Sequence, residues 1–105
     1  MEGKITRIMI KIGGIEYKII YKKDLARDRG HLGECCGNSA EIGIDNNLNK
    51  HVEDKVLLHE IIEAINFEYE LKLEHEKISI LESSLYQVLI DNKELIERFW
   101  KKEKE

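Results

Sequence analysis

The sequence predicts an α+β fold in which a small antiparallel β-sheet of about four strands is followed by two or three α-helices. Three observations predict this arrangement. Isoleucine-rich segments with alternating polar and apolar residues lie in the first half, apolar residues at helical spacing lie in the second, and glycine and asparagine separate the segments. With 105 residues, we expect one domain over residues 1–100 and a charged tail over 101–105.

The first predicted element is a β-hairpin. Residues 4–12 alternate polar with apolar side chains, Gly13 and Gly14 interrupt the pattern, and residues 15–21 resume it. Because glycine adopts the conformations that tight turns need, this pair is expected to join two neighbouring strands.

A second extended pair is predicted after a charged, glycine-containing segment in which residues 24–28 form a turn of helix. The strands cover about 32–36 and 40–45 and are joined at Gly37-Asn38-Ser39. Cys35 and Cys36 fall in this pair, and neighbouring residues cannot easily close an unstrained disulfide. We therefore interpret them as free thiols and ordinary strand or turn residues.

Helices are predicted in the second half of the chain. Residues 46–49 supply capping side chains for a helix over about 50–69, and a polar break at 70–74 separates it from a helix over about 76–91. The last segment carries apolar residues at helical spacing, and we expect them to close the domain's own core. A docking stripe or a homodimer contact is the alternative interpretation of these residues: Leu95, Ile96, Phe99 and Trp100.

Charge and hydropathy exclude some classes of partner. The net charge is −4 and no basic block is present, so the sequence predicts no nucleic-acid partner. No apolar run approaches the roughly 18 to 20 residues of a membrane span, and the amino terminus lacks the features of a secretory signal. We expect a cytoplasmic protein without a membrane partner.

The most informative motif is His59-Glu60-Ile61-Ile62-Glu63 in the first long helix. Residues four apart share a helix face, so His59 and Glu63 can bind one ion while Glu60 acts on a bound water. A solvated surface is the competing interpretation of a histidine and two glutamates in a charged helix.

Glu82 supports the metal interpretation. It falls inside an apolar arc of the second long helix, formed by Ile78, Leu81, Leu85 and Leu89, and His75 points in nearly the same direction. A buried carboxylate needs a cation, a base or a metal, since removing it from water costs several kcal/mol. His59 and Glu63 can supply that metal site.

The chain resembles the small zincin-like metallopeptidases encoded in phages and prophages of low-GC bacteria. The resemblance covers most of the domain and is strongest in the segments 57–66 and 81–92. It implies a minimal zincin fold, with a sheet whose edge strand aligns a peptide and with two helices that carry the site. Carried over by position, it implies His59 as first metal ligand, Glu60 as general base and Glu82 as downstream ligand.

Glu63 departs from the family pattern, which has histidine there. His75 can compensate, because His59 and His75 with either Glu63 or Glu82 restore a two-histidine, one-carboxylate set. If all four residues bind, the site is closed and structural.

Two functions follow as hypotheses. One is a divalent-metal peptidase, with zinc as the expected ion, acting on a peptide or protein through a metal-activated water. The other is a catalytically inactive zincin-like module, with a structural metal or none, that acts by binding a protein partner.

Overall fold

The computed structural model describes residues 7–101, and it contains a four-stranded sheet followed by helices. The predicted α+β class is confirmed. Residues 4–6 of the first predicted strand and residues 102–105 of the predicted tail lie outside the described residues. The elements in chain order are β1 (Arg7–Ile12), β2 (Ile15–Lys22), α1 (Leu25–Arg29), β3 (Gly33–Cys36), β4 (Glu41–Asp45), α2 (Lys50–Glu68), α3 (His75–Asp91), α4 (Lys93–Glu97) and a 3₁₀ turn (Arg98–Trp100).

The sheet is mixed, whereas the sequence predicted an antiparallel one. Its strand order is β1-β2-β4-β3; the pairs β1–β2 and β3–β4 are antiparallel, and β2–β4 is parallel. A parallel pair needs a crossover of a dozen or more residues, and residues 23–40, which contain α1 and β3, provide it. Both predicted hairpins therefore form, but the second joins the first in parallel and leaves β3 at the edge.

The core lies between the sheet and α2. Its buried residues come from β1, β2, β4 and α2, and α2 also packs along β3. The alternating isoleucines of the strands supply most of this apolar surface, as the sequence pattern predicted. The core residues are Ile12, Tyr17, Ile19, Ile42, Ile44 and Ala64.

Two tyrosines of β2 hold α2 in register with the sheet. The Tyr17 hydroxyl donates to Glu68 Oε2 at 2.6 Å, and the Tyr21 hydroxyl donates to Glu53 Oε2 at 2.8 Å. Burial and the neighbouring carboxylate raise the pKa of Tyr21 to about 12, and the pKa of Tyr17 is raised for the same reasons. The two hydroxyls therefore remain donors at neutral pH and fasten both ends of α2.

The start of α2 and the connection to α3 are defined by asparagine side chains. Asn49 caps α2 by accepting from the Val52 amide at 3.0 Å, as the capping prediction requires. Asn66 makes two hydrogen bonds to the backbone of Leu73, at 2.9 and 3.2 Å. These bonds span the bend between the helices and bring α3 back against α2.

The C-terminal apolar residues do not close the core, which corrects the prediction made for them. Phe99 and Trp100 are 78% and 77% exposed, and Leu95 is also exposed. Of the apolar arc of α3, only Ile78 is buried. Within residues 7–101, α3 makes its main contacts with α2 and α4, and most of its apolar arc stays exposed.

The cysteines are free, as predicted, and both lie in β3. Within residues 7–101, no helix is long and apolar enough to cross a bilayer.

Candidate metal centre

Three predicted site residues converge into a cluster that could hold a metal ion. One donor atom each from His59, Glu63 and His75 lies within 4.8 Å of the others. Glu63 Oε2 is 3.4 Å from His59 Nε2 and 3.5 Å from His75 Nδ1. In a tetrahedral site with bonds of about 2.0–2.1 Å, neighbouring donors are about 3.3 Å apart, so these separations fit a shared ion.

The elements that carry the cluster explain its geometry. His59 and Glu63 are four residues apart on α2 and lie on one face, as the motif predicted. His75 is the first residue of α3, and the Asn66–Leu73 hydrogen bonds end the connection two residues before it. The His59 and His75 ring centroids are 5.0 Å apart.

Glu82 meets His59, but on the opposite side of the imidazole from the cluster. Glu82 Oε1 is 3.2 Å from His59 Nδ1, while His59 Nε2 faces Glu63. The side chain is 17% exposed, and its other oxygen is 3.7 Å from Lys55 Nζ. The inward orientation predicted for Glu82 is present, although the three-residue cluster does not include it.

Glu60 lies beside the cluster in an almost fully buried position. Its residue exposure is 7%, and its carboxylate lines the cleft next to His59 and His75. Among the described residues, no hydrogen bond or ion pair engages this carboxylate. Desolvation, followed by the charges of Glu63 and Glu34, raises the pKa of Glu60 to about 7.

Glycines of the β3 hairpin allow α2 to approach the sheet edge closely. A Cβ atom on Gly33 would lie 2.6 Å from Val56 Cγ1 and 3.0 Å from Glu60 Oε2, and one on Gly37 would overlap the Phe67 ring. A side chain at either position would push α2 away from β3. The sequence predicted Gly37 only as a turn residue, and its pattern indicated no role for Gly33.

A groove runs along α2 through the cluster. Its largest section, about 590 Å³, extends from the cluster toward the start of α2, and a section of about 280 Å³ lies over the cluster itself. A third section of about 210 Å³ continues past Glu63 to Phe67. The section over the cluster shares lining residues with each of the other two, so that the three follow one another beside the edge strand β3.

His31 and His51 line this groove, a role that sequence reasoning missed. Both side chains are exposed, and they lie on the wall of the largest section. The Tyr86 hydroxyl is 3.1 Å from His51 Nδ1, so the tyrosine has a side-chain partner outside the cluster. The fold brings these residues together from three separate segments, and spacing along the chain carries no signal of it.

Polar residues at the end of α3 make local contacts. Asp91 accepts from Gln87 at 3.1 Å, and Asn92 donates to the Val88 carbonyl at 2.9 Å. Both bonds lie within the last turns of α3, away from the cluster. Burial and nearby carboxylates raise the pKa of Cys35 to about 12, so it is a protonated thiol.

The donor set itself fits a divalent ion. Two imidazoles and one carboxylate are the protein ligands of one class of catalytic zinc site, in which a fourth position stays open. The chain matches no protein-family model, no curated protein and no solved structure.

Proposed function

We propose that this protein is a metal-dependent peptidase in which His59, Glu63 and His75 bind the ion and Glu60 is the general base. The observation that carries the proposal is the three-donor cluster with a buried carboxylate next to it. Three protein ligands leave a coordination position for water or substrate, whereas four would favour a closed, structural site.

The chain's own residues supply base catalysis and substrate alignment. When bound, a divalent ion polarises a carbonyl and lowers the pKa of a coordinated water toward about 7. Glu60 accepts the proton of the attacking water and returns it to the leaving amine. Since no residue between 7 and 101 pairs with this carboxylate, it is available for that exchange.

A peptide is the substrate that the surroundings favour. The groove runs beside β3, which pairs with β4 on one side only and so presents a free edge. An extended peptide can add to such an edge through main-chain hydrogen bonds. That pairing would place a peptide carbonyl over the cluster.

Glu82 acts in this proposal as a positioning residue. A histidine that binds a metal through one nitrogen commonly donates from the other to a carboxylate, which sets the tautomer and the ring orientation. The 3.2 Å contact between Glu82 Oε1 and His59 Nδ1 leaves Nε2 free for the ion. Lys55 places a positive charge next to the other Glu82 oxygen.

The test compares zinc-loaded wild-type protein with Glu60→Gln on a quenched-fluorescence peptide library. We expect hydrolysis by the wild type and a loss of at least about 100-fold in kcat in the variant, because a general base contributes 10² or more. Both proteins should bind one equivalent of zinc. Glu94→Gln, on exposed α4, is the matched control and should retain activity.

The alternative is an inactive module that binds a protein partner. The exposed apolar residues of α3 and the C-terminal turn favour it, since large exposed apolar patches mark interaction sites. Stoichiometric zinc without hydrolysis of any library peptide would overturn the peptidase and support the module.

A further inference from the structure

The groove is unequal on the two sides of the cluster. The section toward the start of α2 has a volume of about 590 Å³, against about 210 Å³ for the section toward Phe67. Ligand pockets commonly have volumes between about 300 and 1,000 Å³. The larger of the two flanking sections falls in this range and the smaller falls below it, so the larger section is the better candidate for a substrate-binding pocket.

The wall of the larger section is apolar close to the proposed base. Val52 and Val56 lie on the face of α2 that continues to His59 and Glu60, and Leu32 comes from the loop before β3. Val56 is one helical turn before Glu60, so the apolar wall begins next to the reacting position. Aliphatic side chains are the groups that such a wall desolvates most favourably.

The polar residues of this section discriminate against a basic side chain. The section has two carboxylates, Glu60 and Glu82, and both lie at its end next to the cluster. Glu82 contacts His59 and Lys55, and Glu60 adjoins the cluster. Besides the cluster histidines His59 and His75, the other titratable lining residues are Lys55, His31 and His51. A lysine or arginine of the substrate would meet the Lys55 ammonium, while Glu82 is already paired and Glu60 is engaged with the attacking water in the proposed mechanism.

We propose that the larger groove section is the specificity pocket of the site and accepts an uncharged aliphatic side chain, of leucine or methionine size, adjacent to the scissile bond. This inference rests on the proposed peptidase function. The carrying observation is the joint placement of Leu32, Val52 and Val56 in a section that opens directly onto Glu60.

The experiment varies one position of a capped peptide and compares wild type with Val52→Phe, both loaded with zinc. We expect the wild type to prefer leucine or methionine over glycine and lysine by tenfold or more in kcat/KM, the range that pocket filling by an aliphatic group provides. Val52→Phe narrows the section along its apolar wall and should shift the preference toward alanine or glycine. Val88→Phe, on the exposed side of α3, is the matched control and should keep the wild-type preference.

Failure of the pocket and failure of the peptidase are distinguishable. Cleavage without a side-chain preference, or a preference that Val52→Phe does not change, overturns the pocket and leaves the peptidase standing. If no peptide is cleaved, the binding of labelled leucine and glycine peptides to the zinc-loaded protein is measured by fluorescence anisotropy and tests the pocket. Leucine-selective binding that Val52→Phe removes supports the pocket alone, and equal or absent binding overturns both proposals.

A second variant covers the case in which Val52→Phe does not fold. Leu32→Asp changes an exposed loop residue of the same wall and leaves α2 intact. It should lower kcat/KM, or the affinity, for the leucine peptide at least tenfold more than for the glycine peptide. An equal effect on both peptides would overturn the pocket.

Discussion

The two imidazoles of the candidate cluster differ in how firmly they are held. The His59 side chain is 13% exposed and has an acidic contact at each ring nitrogen, whereas the His75 side chain is 74% exposed and contacts Glu63 through Nδ1. His59 lies within the long helix α2, and His75 begins α3. The cluster thus joins a preorganised half to a half that depends on the connection between two helices.

The preorganised half is supported from three directions. Tyr17 and Tyr21 fasten α2 to the sheet, Gly33 lets the helix approach β3, and Glu82 holds the outer nitrogen of His59. His75 is positioned by the connection before it, which the Asn66–Leu73 hydrogen bonds hold, and its own side chain is exposed. We infer from this difference that His59 would set the position of a bound ion and that His75 would adapt to it.

The largest expected effect comes from removing the firmly held ligand. His59→Ala should weaken zinc binding by more than about 100-fold, because even residues that only support a ligand cost 10–100-fold. His75→Ala should reduce zinc affinity less than His59→Ala does. The exposed His75 ring loses conformational freedom when it binds the ion, and this entropy cost offsets part of its contribution to the affinity. Competition with a chromophoric chelator measures both affinities.

His31→Ala is the control for this comparison, because His31 is an exposed groove residue outside the cluster. Its zinc affinity should equal that of the wild type. An unchanged affinity in His75→Ala would remove His75 from the ligand set, and equal losses in the two cluster variants would contradict the inferred difference between them.

An intermediate effect is expected from Glu82→Gln. If Glu82 orients His59 without binding the ion, the substitution weakens zinc affinity by about 10–100-fold and leaves the number of metal ligands unchanged. Chelator competition gives the affinity, and X-ray absorption at the zinc edge counts the nitrogen and oxygen neighbours.

Glu82→Ala and Lys55→Met extend this prediction. The alanine variant should lose more affinity than the glutamine variant, because an amide oxygen can still accept from His59 Nδ1–H. Lys55→Met should have a smaller effect, since the lysine is 3.7 Å from the carboxylate and partly exposed. Loss of one oxygen neighbour in Glu82→Gln would instead identify Glu82 as a ligand.

The sequence predicted the parts of the molecule that depend on local periodicity. Helix spacing placed His59 and Glu63 on one face, and the apolar arc of α3 turned Glu82 inward. It did not distinguish Glu63 from Glu82 as the carboxylate of the cluster, because that depends on which imidazole nitrogen each acid meets. Which acid meets which nitrogen depends on the angle at which α2 and α3 pack, and residue spacing along the chain does not determine that angle.

The features that the sequence mispredicted depend on contacts between distant segments. The parallel pairing of β2 with β4 follows from the path of the crossover, which periodicity within each strand does not determine. Phe99 and Trp100 have the spacing of core residues, yet both side chains stay exposed in the part of the chain that the structure describes. An amphipathic pattern identifies an apolar face without identifying what covers it.

The smallest expected effect concerns the cost of holding Glu60 at its position. In metal-free protein the pKa of Glu60 is about 7, against an ordinary value of 4.5, because burial and the charges of Glu63 and Glu34 disfavour the carboxylate. Folding therefore carries no penalty from this group below about pH 4.5. The penalty grows between pH 4.5 and 7 and is complete above pH 7.

Glu60→Gln should accordingly stabilise the metal-free protein at pH 8 and leave its stability nearly unchanged at pH 4.5. The shift in pKa corresponds to at most about 3 kcal/mol, and the opening of the carboxylate onto the groove reduces the expected gain to about 1–2 kcal/mol. Urea unfolding in the presence of a chelator, at both pH values, measures it. Glu94→Gln, exposed on α4, should show no such pH-dependent gain. A neutral or destabilising effect of Glu60→Gln at pH 8 would contradict this prediction. It would mean that the ionised Glu60 carboxylate carries no desolvation cost and is solvated in the groove like a surface acid.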